Sequence, residues 1–140
     1  MAAIAVEAAG MAYREGVGVT VIDPRWVKPL PASLVTIAQR YKSVVVLEDG
    51  IKHGGIASSI SEMFRASGLA TPIHSIGIPL EFIEHSKRSE IMHDLGITVQ
   101  SIARSIVEWN SSHSSSNLAD STMAEMQYPA HENADRKPLR

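Results

Sequence analysis

Hydrophobic and polar positions follow two alternating periods along the first hundred or so residues. Ile4, Ala8, Met11 and Ala12 recur at helical spacing, and the pattern stops at Gly16-Val17-Gly18. The apolar run over 17–22 predicts a strand, broken off by Asp23-Pro24. Leu34, Ile37, Ala38 and Tyr41 form a second helical face, and residues 43–47 (SVVVL) read as a strand covered on both sides. Ile56, Ile60, Met63 and Phe64 give a third helix ended by Gly68, and 72–76 is a short strand. Residues 87–95 read as a helix with Ser86 at its N-cap and Gly96 just past its end. Thr98 can cap a last helix on which Val99, Ile102, Ala103, Ile106 and Trp109 share a face.

This alternation predicts an α/β class, with a mostly parallel sheet between helix layers, three layers in all. The first helix begins near residue 2 with no strand ahead of it. Helices of a parallel α/β domain normally follow a strand through a short loop, so the expectation is a domain whose first strand is missing. The periodicity ends at Trp109. Residues 110–140 are rich in Ser, Asn, Asp and Glu and hold no sustained period, so 1–109 reads as one domain and 110–140 as a polar, disordered tail. In that tail Leu118, Met123, Met126 and Tyr128 could form a transient helical patch.

Composition narrows the function classes. The chain has 140 residues, net charge −2 and no cysteine. It offers no basic field for a nucleic acid or an anionic membrane surface. Without thiols, disulfides and thiolate metal sites are excluded, and a reducing, cytoplasmic setting is expected. No stretch approaches the ~20 apolar residues that cross a bilayer, and the alanine-rich start lacks a basic signal-peptide region.

The candidate chemistry lies in two loops. In VTVIDPRWVKPLP an apolar run hands over to a segment stiffened by Pro24, Pro29 and Pro31 and carrying Arg25, Trp26 and Lys28. Ligands of open α/β sheets sit past the carboxyl ends of strands. A guanidinium there can grip phosphate or carboxylate with two hydrogen bonds. The plain alternative is an arginine paired with Asp23 or with a neighbouring domain's carboxylate. Lys28 reads as solvated or inter-domain, and Trp26 as an interface packing residue. The second loop, LEDGIKHGG, brings Glu48, Asp49 and His53 to Gly54-Gly55 at a helix start, either as a site or as an inter-domain loop. Helix N-termini attract anions, but the pattern is no P-loop, and glycine also simply permits a tight turn. Glu48 and Asp49 are adjacent on a strand end and point apart, which disfavours a catalytic pair. His53, His74, His85 and His93 lack metal-ligand spacing. Ser58, Ser59 and Ser61 lack a nucleophile motif.

In collinear order, VTVIDPRWVKPLP, VVVLEDG, the Gly54-Gly55 helix start and IGIPLEFIEHSKRSEIMHDLGIT resemble the C-terminal domain of the transketolase-like, thiamine-diphosphate enzymes. The resemblance covers residues 1–109. Within the superfamily, the Asp23–Pro29 run and the Gly-Ile-Pro…Phe-Ile-x-His block point to the branch of 1-deoxy-D-xylulose-5-phosphate synthases. The resemblance implies a transferase that joins decarboxylated pyruvate to D-glyceraldehyde 3-phosphate, feeding isoprenoid, thiamine and pyridoxal synthesis. It implies a homodimer whose missing N-terminal and middle domains hold thiamine diphosphate and Mg2+, with Arg25 on the acceptor phosphate. No cofactor, metal or catalytic residue is expected on this chain, and the isolated chain is expected to be inactive. The sequence departs from the family at Leu80-Glu81, where Asp is usual, and at Ser86, where Gly is usual. Two other readings stay open: the C-terminal domain of another transketolase-type enzyme (a transketolase or a ketoacid dehydrogenase beta subunit), and a non-catalytic flavodoxin-like binding module.

Overall fold

The computed structural model describes residues 1–125. Five helices and two strands follow in the order α1 (Ala2–Arg14), α2 (Ser33–Ala38), β1 (Val44–Ile51), α3 (Ile56–Ala66), β2 (Ile73–Ile78), α4 (Arg88–Asp94) and α5 (Val99–Glu125). The strands are parallel, with Val44 opposite Ile73 and Leu47 opposite Ile76. Each face of this small sheet carries its own core. Val44, Val46 and Ile73 pack with Ala38 of α2 and with Ala57, Ile60 and Phe64 of α3. Leu47, Ile76 and Ile78 pack on the other face with Ala8 of α1, Met92 of α4, and Ile102 and Ala103 of α5. The result is helix, sheet, helix: three layers, because a strand buried on both sides must be covered on both sides.

Local signals set most element ends. Gly16, Gly68 and Gly96 all have positive φ, at +85°, +68° and +68°. Each follows a helix at a place where a side chain would be strained. The Thr98 hydroxyl accepts the Ser101 N–H at 3.2 Å and so caps α5. On α1 the fully buried Ala8 and Ala12 leave room for α5 to approach closely.

Three expectations need correction. Residues 17–22 form no strand. Among the described residues the backbone of Gly18–Asp23 makes no hydrogen bond to other backbone, so no ladder exists to define one. The α4 N-cap is Lys87 rather than Ser86. Its N–H donates to Glu90 Oε2 at 3.3 Å, and the Ser86 hydroxyl donates to the same oxygen. The second helix ends at Ala38, so Tyr41 lies beyond it. The Tyr41 hydroxyl instead donates to Thr20 Oγ1 at 2.6 Å, tethering the extended 17–23 segment. Helix α5 also runs on past Trp109, the place where composition changes. The rest of the polar stretch, with Met126 and Tyr128, lies outside the described residues.

Candidate functional site

The LEDGIKHGG loop is built on an irregularity. From Leu47 to Ile51 is four residues, while their partners Ile76 and Ile78 are two apart. The two additional residues let β1 bulge at Glu48–Gly50. Glu48 turns toward α3, where its Oε2 accepts the Ile56 N–H at 2.9 Å. This carboxylate satisfies one of the free amides of the α3 N-terminus from a distance of eight residues. Its other oxygen, Oε1, is buried without a hydrogen bond to any described residue. Gly55 is obligatory here, because a Cβ would collide with Glu48 Oε2 and the Ile51 carbonyl oxygen. Gly77 on β2 supports the bulge from the side; a Cβ there would lie 2.9 Å from the Gly50 carbonyl oxygen.

Asp49 points elsewhere. Its Oδ2 accepts from Arg88 Nε at 2.9 Å and Nη2 at 2.6 Å, both side chains being well exposed. The Arg88 guanidinium also reaches Met1 Sδ at 3.6 Å. Arg88 escaped the sequence reading; nothing in KRSE marks which carboxylate, 39 residues away, it joins. His53 and Gly54 are exposed, with Gly54 at φ +80° and its N–H donating to Ser58 Oγ at 3.1 Å. The five loop residues therefore divide. Glu48 and Gly55 fix the α3 start, Asp49 ties β1 to α4, and His53 and Gly54 face outward.

Arg25 is placed by its backbone. It has φ +56°, and its N–H donates to Asp23 Oδ1 at 2.9 Å, an Asx turn that tolerates the left-handed conformation. Its side chain is exposed and forms no ion pair with any described residue; Asp23 holds the backbone, not the guanidinium. Trp26, at 72% exposure, stands beside it and packs into no core. The loop therefore presents an unpaired guanidinium and an indole on a turn stiffened by prolines.

Among the described residues, His74 is the titratable group whose proton affinity the fold changes clearly. It stacks on Trp109 of α5 at 4.6 Å between ring centroids, and His113 tilts against the same tryptophan at 3.9 Å. Burial lowers the His74 pKa below its ordinary value, helped by the charge of Lys52 and by His113. Among the described residues no three His, Asp or Glu side chains gather as metal ligands. The described residues do not fit a Mg2+-bound diphosphate, which needs such a cluster of oxygen ligands. Among the described residues no helix is long and apolar enough to cross a membrane.

An α/β layer structure with candidate residues on its loops is the frame of many domains, and fold alone assigns no activity. Here the comparison with known families decides: the family described as "Transketolase, C-terminal domain" matches residues 1–102, and the chain belongs to it. Relatives include proteins named 1-deoxy-D-xylulose-5-phosphate synthase. The one from Rhodococcus jostii (strain RHA1) is 43% identical over 108 residues, which is 77% of this chain and 17% of that protein. The one from Corynebacterium glutamicum (strain R) is 39% identical over 108 residues, again 77% and 17%. The chain thus spans about a sixth of the relatives it matches. A solved structure titled "Split gene transketolase, inactive beta4 tetramer" shares the fold, with a TM-score of 0.68, 24% identity, and coverage of 76% of this chain and 35% of that one.

Proposed function

We propose that this chain is the C-terminal domain of a thiamine-diphosphate-dependent synthase of the 1-deoxy-D-xylulose-5-phosphate type. Its task is to supply the guanidinium that binds the phosphate of the acceptor, D-glyceraldehyde 3-phosphate. The carrying observation is Arg25: exposed, unpaired among the described residues, and pre-organised by an Asx turn and flanking prolines. A dianionic phosphate ester is the acceptor's only strong anionic handle, and a guanidinium matches it in charge and geometry. The relatives' printed name is that of a synthase of a sugar phosphate, 1-deoxy-D-xylulose 5-phosphate, which supports a phosphorylated substrate. In this reading the domains that complete the longer polypeptide hold cofactor and Mg2+, and the whole enzyme is a cytoplasmic homodimer. Glu48, Asp49, His53, Gly54 and Gly55 serve as the loop that meets those domains.

The test is a chimaera in which residues 1–108 replace the matching region of the Rhodococcus jostii synthase. Arg25→Ala should lower kcat/KM for D-glyceraldehyde 3-phosphate by about 10- to 150-fold, the loss of one charge-assisted hydrogen bond. Unphosphorylated glyceraldehyde should be used nearly as before. Arg25→Lys should recover part of the loss. Equal slowing with both aldehydes would make Arg25 structural.

A further inference from the structure

β2 pairs with β1 along one edge, and among the described residues its other edge has no ladder partner. The Val44 N–H donates to the Pro72 carbonyl oxygen at 2.9 Å, and the Lys52 N–H to that of Ile78 at 2.7 Å. Backbone groups alternate sides along a strand. Positions 72, 74, 76 and 78 therefore face β1, while Ile73, Ser75 and Gly77 turn their N–H and C=O outward. None of these three joins a backbone hydrogen bond outside the ladder among the described residues. Side chains alternate as well. Ile73 packs under α3, whereas Ile76 and Ile78 pack toward α1, α4 and α5, and His74 meets Trp109. On the α3 side of this edge lies a cavity of about 520 Å3, lined by Lys52, Ser61, Glu62, Arg65, Ile73 and Ser75. It touches β2 and the flank of α3 but no residue of β1, which places it along the outward edge.

The polar groups of this cavity are short of partners. Ser75 Oγ is buried with no hydrogen-bond partner among the described residues, a cost that a ligand's polar atom removes. Lys52 and Arg65 are exposed, and neither forms an ion pair with a described residue. Glu62 shares the flank, but no ion pair joins it to either cation. Two cations against one carboxylate leave the lining positive. Edge strands are commonly guarded by a charge or a proline within them. Ile73–Ile78 (IHSIGI) holds no Lys, Arg, Asp, Glu or Pro, and Pro72 and Pro79 merely bound it. We propose that this edge docks an extended segment of a partner protein. The segment adds to β2 as a third strand of about five residues, with acidic side chains on its α3 face and apolar ones on the other. Its carboxylates answer Lys52, Arg65 and the Ser75 hydroxyl, and its apolar side chains lie beside His74 and Ile76. A second copy pairing through its own β2 would bring these cations a strand without a carboxylate. The proposal needs neither Arg25 nor a phosphate.

The test uses the 140-residue chain and an end-blocked synthetic peptide, Ser-Val-Glu-Val-Glu-Val-Ser. Hydrogen exchange of the Ile73, Ser75 and Gly77 amides should slow about tenfold or more when it binds. The same peptide N-methylated at alternate residues keeps its side chains but cannot complete a ladder, and it should give no protection. The charge-reversed peptide, Ser-Val-Lys-Val-Lys-Val-Ser, should bind about tenfold more weakly. The double variant Lys52→Glu/Arg65→Glu changes two exposed side chains and should invert that preference. Ser75→Ala should weaken the acidic peptide and leave the lysine peptide unchanged. The comparison of the two peptides on the unaltered chain stands without any variant. Equal affinity for both peptides, or a preference that the double variant leaves in place, would overturn the proposal. So would equal protection by the N-methylated peptide, or no protection at millimolar peptide. Slow exchange of the three outward amides in a dimer of the free chain would overturn it too, by making a second copy the occupant.

Discussion

Glu48 Oε2 lies 2.9 Å from the Ile56 amide nitrogen and accepts its proton, so a side chain of the β1 bulge closes the N-terminus of α3. Gly55 is the residue that lets the two approach, since its Cα sits where any Cβ would strike the carboxylate. Strand, loop and helix are thereby locked by one hydrogen bond and one missing side chain.

That lock predicts a coupled pair of substitutions. Glu48→Ala leaves the Ile56 N–H unpaired and should cost about 1–3 kcal/mol in urea unfolding. Glu48→Gln keeps an acceptor oxygen and should cost less. Gly55→Ala forces overlap and should cost about 1–3 kcal/mol. The double variant Glu48→Ala/Gly55→Ala should cost less than the two single losses together, because removing the carboxylate relieves part of the overlap. The Ile51 carbonyl still crowds residue 55, so relief is incomplete.

Gly54 separates backbone strain from crowding. Its φ is +80°, yet nothing lies within 4 Å of a Cβ built there. Gly54→Ala should therefore cost about 1–2 kcal/mol through conformation alone. Gly54→Asn should cost less, since Asn tolerates the left-handed region. Equilibrium unfolding of both variants checks the order.

The Asp49–Arg88 pair is exposed, at 42% and 58% of its side-chain surfaces, despite its 2.6 Å contact. A double-mutant cycle with Asp49→Asn and Arg88→Gln should give a coupling of about 0.2–1 kcal/mol. The coupling should shrink between low salt and 0.5 M NaCl as the charges are screened.

His74 predicts a pH dependence. Its folded pKa is lowered by burial, by Lys52 and by His113, so the unfolded chain binds the proton more readily. The full stability is present above the ordinary histidine value of about 6.5. It declines as pH falls below that value and levels off once His74 protonates in the folded state. Replacing His74 with Phe, which keeps a ring against Trp109, should flatten this part of the stability profile. An unchanged slope would place the titration elsewhere.

Calorimetric titration of the 140-residue chain with thiamine diphosphate and Mg2+ should give no saturable heat, and the chain with pyruvate and D-glyceraldehyde 3-phosphate should form no product. Cofactor chemistry needs a site that positions the cofactor, and the described residues offer no cluster of three metal-ligating side chains.

What neighbours along the chain enforce could be read from the order of residues alone. Gly16, Gly68 and Gly96 stop helices because only glycine takes positive φ without penalty. Thr98 caps α5 through an amide three residues on. The VVVL run had to be covered on both faces, which gave three layers. The apolar run before Asp23 and the prolines after it made Arg25 legible as a presented cation, although its ligand stays a proposal; that Asp23 holds the Arg25 backbone rather than its guanidinium came only from the fold. Tertiary structure alone decided the rest. Residues 17–22 have strand composition, but a strand exists only through a partner's hydrogen bonds, and no described residue provides them. Glu48 and Asp49 look alike in sequence. A two-residue mismatch between β1 and β2 sends one into the α3 N-terminus and leaves the other to Arg88, 39 positions away. His74 and Trp109 meet only because α5 folds back over β2. Local backbone preferences can be read from a few adjacent residues; pairing across tens of residues depends on where packing brings each element.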